Sequence, residues 1–219
     1  YYLTWNTDTD NVRYDLETDV TFSSYTPSPF YIYKAQQGLT TNYYEGEISN
    51  TVTSPEYTAG EGYCTIASGA WSFTGDWSGT VLTGFKNTIY TALPQSSYLE
   101  LRVVTCNKPN ITTDHHHQIY AAGTLVDDIL LSGYTYNKRN FTINSTTLKA
   151  SAQPFKVDFL TDYSLITKNG FAYYHLIMPQ TFDLSNRTEQ TMYLPDATSQ
   201  TKARVDITNF NAQSSTPRI

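Results

Sequence analysis

Phe155-Lys156-Val157-Asp158-Phe159 constrains the fold more than any other stretch of this chain. Three apolar side chains fall on one side of an extended segment and two charged ones on the other. Strict period two of that kind belongs to a strand with one buried face. Strand-like runs flank it, from Gly133 to Ile143 before and from Phe171 to Met178 after. The later run is apolar on both sides, so it is expected deep in a sheet and covered on both faces. Asn169-Gly170 predicts a tight turn ahead of it, because both residues tolerate positive φ.

Similar runs recur along the chain. Leu16, Thr18, Val20 and Phe22 alternate with Asp15, Glu17, Asp19 and Thr21. Phe30 to Lys34, Tyr43 to Thr53, Tyr63 to Ile66 and Trp71 to Phe73 read as strands, the last ending in a turn at Gly75-Asp76. Leu99, Leu101, Val103 and Thr105 alternate clearly. A final strand is expected over Ala203 to Thr208, with Val205 and Ile207 buried and Arg204 and Asp206 exposed. One helix is predicted from Thr124 to Leu131, with Thr124 and Asp127 spaced as a capping-box variant. About eight to ten strands with regular turns and no alternating helices predict an all-β chain, an antiparallel β-sandwich. A jelly roll with one short helix is the specific form expected. The reading takes residues 1–219 as a single domain, with 1–14 and 209–219 as arms or tails.

Only 16% of residues are charged, against 19 Tyr and abundant Thr and Ser. That balance suits a virion surface or a secreted protein better than a cytosolic enzyme. The net charge of −6 gives no global attraction for nucleic acid, and the longest basic run is the pair Lys138-Arg139. No apolar run approaches the length of a membrane span. Because the chain opens at Tyr1, a leader is expected to have preceded it, either a signal peptide or a basic arm. Cys64 and Cys106 leave two readings open, one disulfide or two buried thiols.

No catalytic signature is present: GxSxG, HExxH, the P-loop and GxGxxG are all missing. The expectation is therefore a protein that is not an enzyme and takes no cofactor. Asn6-x-Asp8-x-Asp10 with Glu17 sets oxygen donors at calcium-loop spacing, making Asp8, Asp10 and Glu17 the metal candidates. Asn6 brings no charge and the flanks are not helical, so a solvated acidic loop is the reading adopted. His115-His116-His117 is placed in a polar loop from Asn107 to Gln118, where neighbouring imidazoles rarely converge on one ion; a pH role is the alternative. Sequons begin at Asn110, Asn140, Asn144 and Asn186, and Asn110 and Asn186, read as loop residues, are the glycosylation candidates. Trp71, Trp77 and the Tyr-rich stretch 31–44 are candidates for stacking on sugars, weighed against burial in the core.

From Tyr98 onward the layout resembles single jelly-roll capsid proteins of small icosahedral viruses, of the satellite necrosis virus and circular single-stranded-DNA virus type. The pieces are Leu99 to Cys106, Thr124 to Leu131, Lys138-Arg139-Asn140-Phe141-Thr-Ile, Phe155 to Phe159, Asn169-Gly170 with Phe171 to Met178, and Ala203 to Thr208. The resemblance covers a little over half of the chain and rests on layout. It implies a viral capsid subunit that self-assembles, with a virion location and Lys138, Arg139, Lys149 and Lys156 facing the genome. Such capsids carry a basic N-terminal arm, whereas Tyr1 to Asn11 is polar and acidic. Two other functions stay open: a receptor- or glycan-binding projection domain, and a secreted extracellular filament subunit assembled by strand exchange.

Overall fold

The computed structural model describes residues 21–44, 48–51, 54–57, 62–93, 96–105, 115–132, 135–163, 167–195 and 204–213. Twelve strands carry the fold: β1 Tyr31–Gly38, β2 Asn42–Tyr44, β3 Ile48–Thr51, β4 Ser54–Tyr57, β5 Gly62–Ser68, β6 Trp71–Thr74, β7 Ser97–Thr105, β8 His115–Ala121, β9 Thr124–Leu131, β10 Thr135–Ile143, β11 Phe155–Leu160 and β12 Lys168–Gln180. Among the described residues one α-helix, α1 Ser145–Ala150, lies between β10 and β11.

Two sheets face each other. One runs β10-β7-β12-β5-β2, with β1 also paired to β12; the other runs β6-β11-β8-β9. β3 and β4 form a hairpin of their own. On β12, residues 168–171 pair with β5 and residues 173–180 with β1. β7 runs along β12 from Asn169 to Ile177. With β2 to β5 set aside, eight strands remain, and they pair antiparallel as first with eighth, second with seventh, third with sixth and fourth with fifth. A long hairpin rolled upon itself gives that pairing, and it is the jelly-roll topology.

The core follows from the alternation. Phe155, Val157 and Phe159 on β11 are buried, while Lys156 and Asp158 face outward and pair with each other at 2.6 Å. Leu99, Leu101 and Val103 on β7 and Leu176 and Met178 on β12 answer them from the other sheet. Phe73 on β6 stacks on Phe171 of β12 at 4.1 Å, ring against ring across the sandwich. Four of the aromatics weighed for sugar stacking, Trp71, Trp77, Tyr31 and Tyr33, pack inward. Trp71 stacks on Phe159 at 4.4 Å, and the Trp77 indole packs on the core with its Nε1 donating to the Ser151 carbonyl. Tyr31 is fully buried, and Tyr33 stacks on Phe85 at 3.7 Å.

Several expectations need correction. Thr124 to Leu131 is a strand, because Ala122 and Gly123, at φ 49° and 85°, turn the chain straight back and β9 pairs with β8. Positive φ at both central residues is the two-residue hairpin geometry that matches strand twist. The helix forms instead at Ser145, where Asn144 Oδ1 accepts from the Thr146 and Thr147 amides. Asn169-Gly170 is no turn but the start of β12. A Cβ at Gly170 would lie 2.6 Å from Val104 Cγ2, so the glycine serves close packing rather than positive φ. β12 alternates after Ala172, with Tyr173, His175 and Ile177 half-buried, so its outer face is only partly covered. Residues 204–208 make single bridges at Arg204 and Thr208 instead of a strand, and Ile207 is exposed.

Of the stretch 209–219 expected as a tail, residues 209–213 are docked. Phe210 packs on the Tyr31, Phe182 and Leu184 cluster, and the Asn211 amide donates to the Arg187 carbonyl. Arg187 in turn lies 3.8 Å over the Phe85 ring. Residues 1–14 with Asp8 and Asp10, together with Glu17, Cys106 and Asn110, lie outside the described residues.

Candidate functional site

His115-His116-His117 does not lie in the expected loop. These residues open strand β8, and all three are buried. Period two separates them. His115 and His117 point into the sandwich with Ile119 and Ala121, and His116 points outward with Gln118 and Tyr120.

The inward pair meets Asn169 from the opposite sheet. His115 Nδ1 and His117 Nε2 each lie 2.8 Å from Asn169 Oδ1. One carbonyl oxygen accepts two hydrogen bonds, so each imidazole donates one proton to it. His117 also sits edge-on to Phe159 at 4.8 Å. Burial pushes the His117 imidazole down to about 4, against the Asn169 hydrogen bond and aided by the neighbouring His115 and His116. The site is a neutral polar tie between the sheets.

The outward member is different. His116 Nδ1 lies 2.7 Å from Asp162 Oδ2, just past β11, and Nε2 bonds the Asp128 carboxylate of β9. Ionised carboxylates only accept, so both ring nitrogens must donate, and that is the imidazolium form. Burial alone would lower this group, but the hydrogen bonds and charges of Asp128 and Asp162 outweigh it and hold His116 above its ordinary value. The His116 hydrogen bond in turn holds the Asp128 carboxyl below the usual range. Both carboxylates are half-exposed, and the Tyr163 ring stands edge-on to His116 at 5.6 Å.

Exposed apolar side chains share this face with the charged centre. Leu125 and Leu130 are 44% and 47% exposed, and Val126 and Tyr163 are exposed as well. Leu125 stands opposite Tyr120 and Leu130 opposite His116 in the β8–β9 register, so both share the outward face with the histidine. β9 is the last strand of its sheet, and among the described residues nothing pairs with its outer edge. Asp127, the second carboxylate of β9, is bonded by Arg139 of β10, which ties the edges of the two sheets together.

The four cations expected to face nucleic acid sit on three elements. Lys138 pairs with Glu100 at 3.0 Å, Arg139 with Asp127 and Lys156 with Asp158; Lys149 donates to the Ile89 carbonyl at 3.2 Å. Lys156 also lies 4.6 Å over the Tyr120 ring. Among the described residues, no three His, Cys, Asp or Glu side chains are placed to hold a metal ion. Of the sequons, Asn186 is exposed in a turn at φ 68°, Asn140 is exposed on β10, and the Asn144 side chain is taken by the helix cap.

Sequence reading missed this patch because it placed the histidines in a loop and Leu125 to Leu131 in a helix. The signal was present: His117-Gln118-Ile119-Tyr120-Ala121 alternates, and Gly123 follows at hairpin distance.

No protein-family model matches the chain, and no curated protein matches it. Solved structures share parts of the strand arrangement. Dimeric latent PorU from Porphyromonas gingivalis aligns at 8% identity over 72% of this chain and 13% of its own length, with a TM-score of 0.43. The Tobacco streak virus coat protein aligns at 10% identity over 68% of this chain and 87% of its own, with a TM-score of 0.33. The CBM36-1 domain of a multidomain xylanase from the hindgut metagenome of Trinervitermes trinervoides aligns at 12% identity over 66% and 95%, with a TM-score of 0.31.

Proposed function

We propose that this chain is a structural protein, the jelly-roll subunit of a virion shell, and that it works by self-association rather than catalysis. The observation that carries the reading is β9, an eight-residue edge strand whose outward side bears exposed Leu125, Val126 and Leu130. Monomeric proteins blunt such edges with charge, proline or a covering element, because an unpaired apolar strand recruits another chain. Here both charges on the strand, Asp127 and Asp128, are already held within the subunit by Arg139 and His116. The edge therefore offers backbone and apolar side chains to a neighbour. Fold-level analogy supports a shell, since jelly rolls recur in capsids, though the fold also serves other functions.

A filament built by strand addition at the same edge is the second reading, and β9 supports it equally. A glycan-binding projection domain has less support, because Trp71, Trp77, Tyr31 and Tyr33 pack inward. The test is light scattering of the full chain during size-exclusion chromatography, followed by electron microscopy of whatever forms. Closed particles are expected for the wild type, and monomer for Leu130→Lys with an unchanged circular-dichroism spectrum. Fibres would favour the filament. A wild-type chain that stays monomeric at milligram-per-millilitre concentration would overturn self-association.

A further inference from the structure

The β9 patch has a centre that a neighbouring subunit would have to cover. His116 is clamped between Asp128 and Asp162, with exposed Leu130 and Tyr163 beside it and exposed Leu125 farther along the same face. With His116 charged, the triad carries one net negative charge and every hydrogen bond in it is made. With His116 neutral it carries two, and one carboxylate loses its donor, since a neutral imidazole has a single N–H. Covering a charge that lacks a partner is costly, and that cost returns for every copy assembled. We infer that a second copy of this chain docks on the β9 edge and that His116 is its proton gate: the interface closes when the imidazole is charged and opens when it is neutral. This rests on the self-association reading above and adds its regulation.

The surroundings of His116 leave it as the group that titrates. On β9 it faces Asp128, while Asp127 is engaged by Arg139. From the segment after β11 it faces Asp162 and Tyr163. On β11 itself Asp158 is held by Lys156 and by the Ser72 hydroxyl. On β8, Gln118 Nε2 reaches Asp128 Oδ2 at 3.4 Å, and His115 and His117 lie on the opposite face against Asn169. The sign follows from the geometry. A histidine held charged by two carboxylates keeps its pairs below its titration point and loses them as pH rises through it. Asp128, held below the usual carboxylate range by the His116 hydrogen bond, stays ionised through that window. Association should therefore persist at mildly acid pH and fail on the alkaline side of the His116 titration.

The experiment follows the association of the full chain by light scattering from pH 5.5 to 9, with His116 titrated by NMR in monomeric Leu130→Lys. If one proton is bound per subunit contact, the association constant should fall with a slope approaching tenfold per pH unit, centred on the His116 titration. His116→Gln should abolish the pH step and associate more weakly at pH 6. Asp162→Asn, which removes one of the two charges left at high pH, should shrink the step. Circular dichroism of each variant reports whether the fold is kept, and the wild-type profile stands without any variant. Association that is independent of pH, or a step that survives in His116→Gln, would overturn the gate and leave self-association standing. A chain that stays monomeric throughout would overturn both.

Discussion

A single side chain in this protein is judged by which sheet face it occupies. Phe159 is fully buried between Trp71 and His117, so Phe159→Ala should cost about 3–5 kcal/mol in urea denaturation through the cavity it leaves. A loss no greater than that of an exposed substitution would show the β11 face assigned wrongly. Gly170→Ala presses the other way. The new methyl would meet Val104 and, at 3.2 Å, both Cys64 Sγ and the Thr65 carbonyl, so about 1–3 kcal/mol should be lost by overpacking. His117 makes a pH prediction at the same scale. Its pKa is depressed from an ordinary 6.5 to about 4 by burial, so its contribution to stability is full above 6.5 and is lost as pH falls toward 4. The slope reaches about 1.4 kcal/mol per pH unit for one proton. NMR titration of the His117 ring checks this, and a midpoint near 6.5 would contradict it.

Among the elements, β9 and α1 show how local pattern and context divide the work. Thr124-Leu-Val-Asp127 satisfies the spacing of a helix start, yet the exposed edge of β8 offers seven residue pairings to an extended chain and none to a helix. The Ala122-Gly123 turn delivers the segment to that edge. α1 depends on its cap because six residues make fewer than two turns. Asn144→Ala leaves the Thr146 and Thr147 amides without their acceptor and should cost about 1 kcal/mol in a thermal melt. An unchanged melting temperature would mean that burial of Leu148, rather than the cap, holds the helix in place.

Across the whole molecule, charge is spent inside the subunit. The total is −6, and Lys138, Arg139 and Lys156 are each paired with a carboxylate of the same chain. Only Lys149 of the four candidate cations has no acidic partner among the described residues. Each phosphate neutralised contributes close to one unit of slope when log affinity is plotted against log salt. Binding of a single-stranded oligonucleotide by this chain, read by fluorescence anisotropy, should therefore show a slope of about one or less. A slope near three, at about 0.7 per contact on a single strand, would mean that Lys138, Arg139 and Lys156 leave their carboxylates and join Lys149 on phosphate, and would restore the genome-facing role that the capsid resemblance implies.

Sequence by itself determined the all-β class, the buried face of β11 and most strand positions, because period-two alternation is a local property that survives in any sheet. The alternation of β7 was equally legible. Tertiary structure decided what alternation cannot. It put Asn169 opposite His115 and His117, because partners 52 and 54 residues apart meet only when the two sheets stack. It made Gly170 a packing residue instead of a turn, since the nearness of Val104 is a property of the β7–β12 register. It also assembled the Asp128–His116–Asp162 centre from three separate segments. None of these was written in spacing along the chain. Each depends on which strands the rolled hairpin brings side by side.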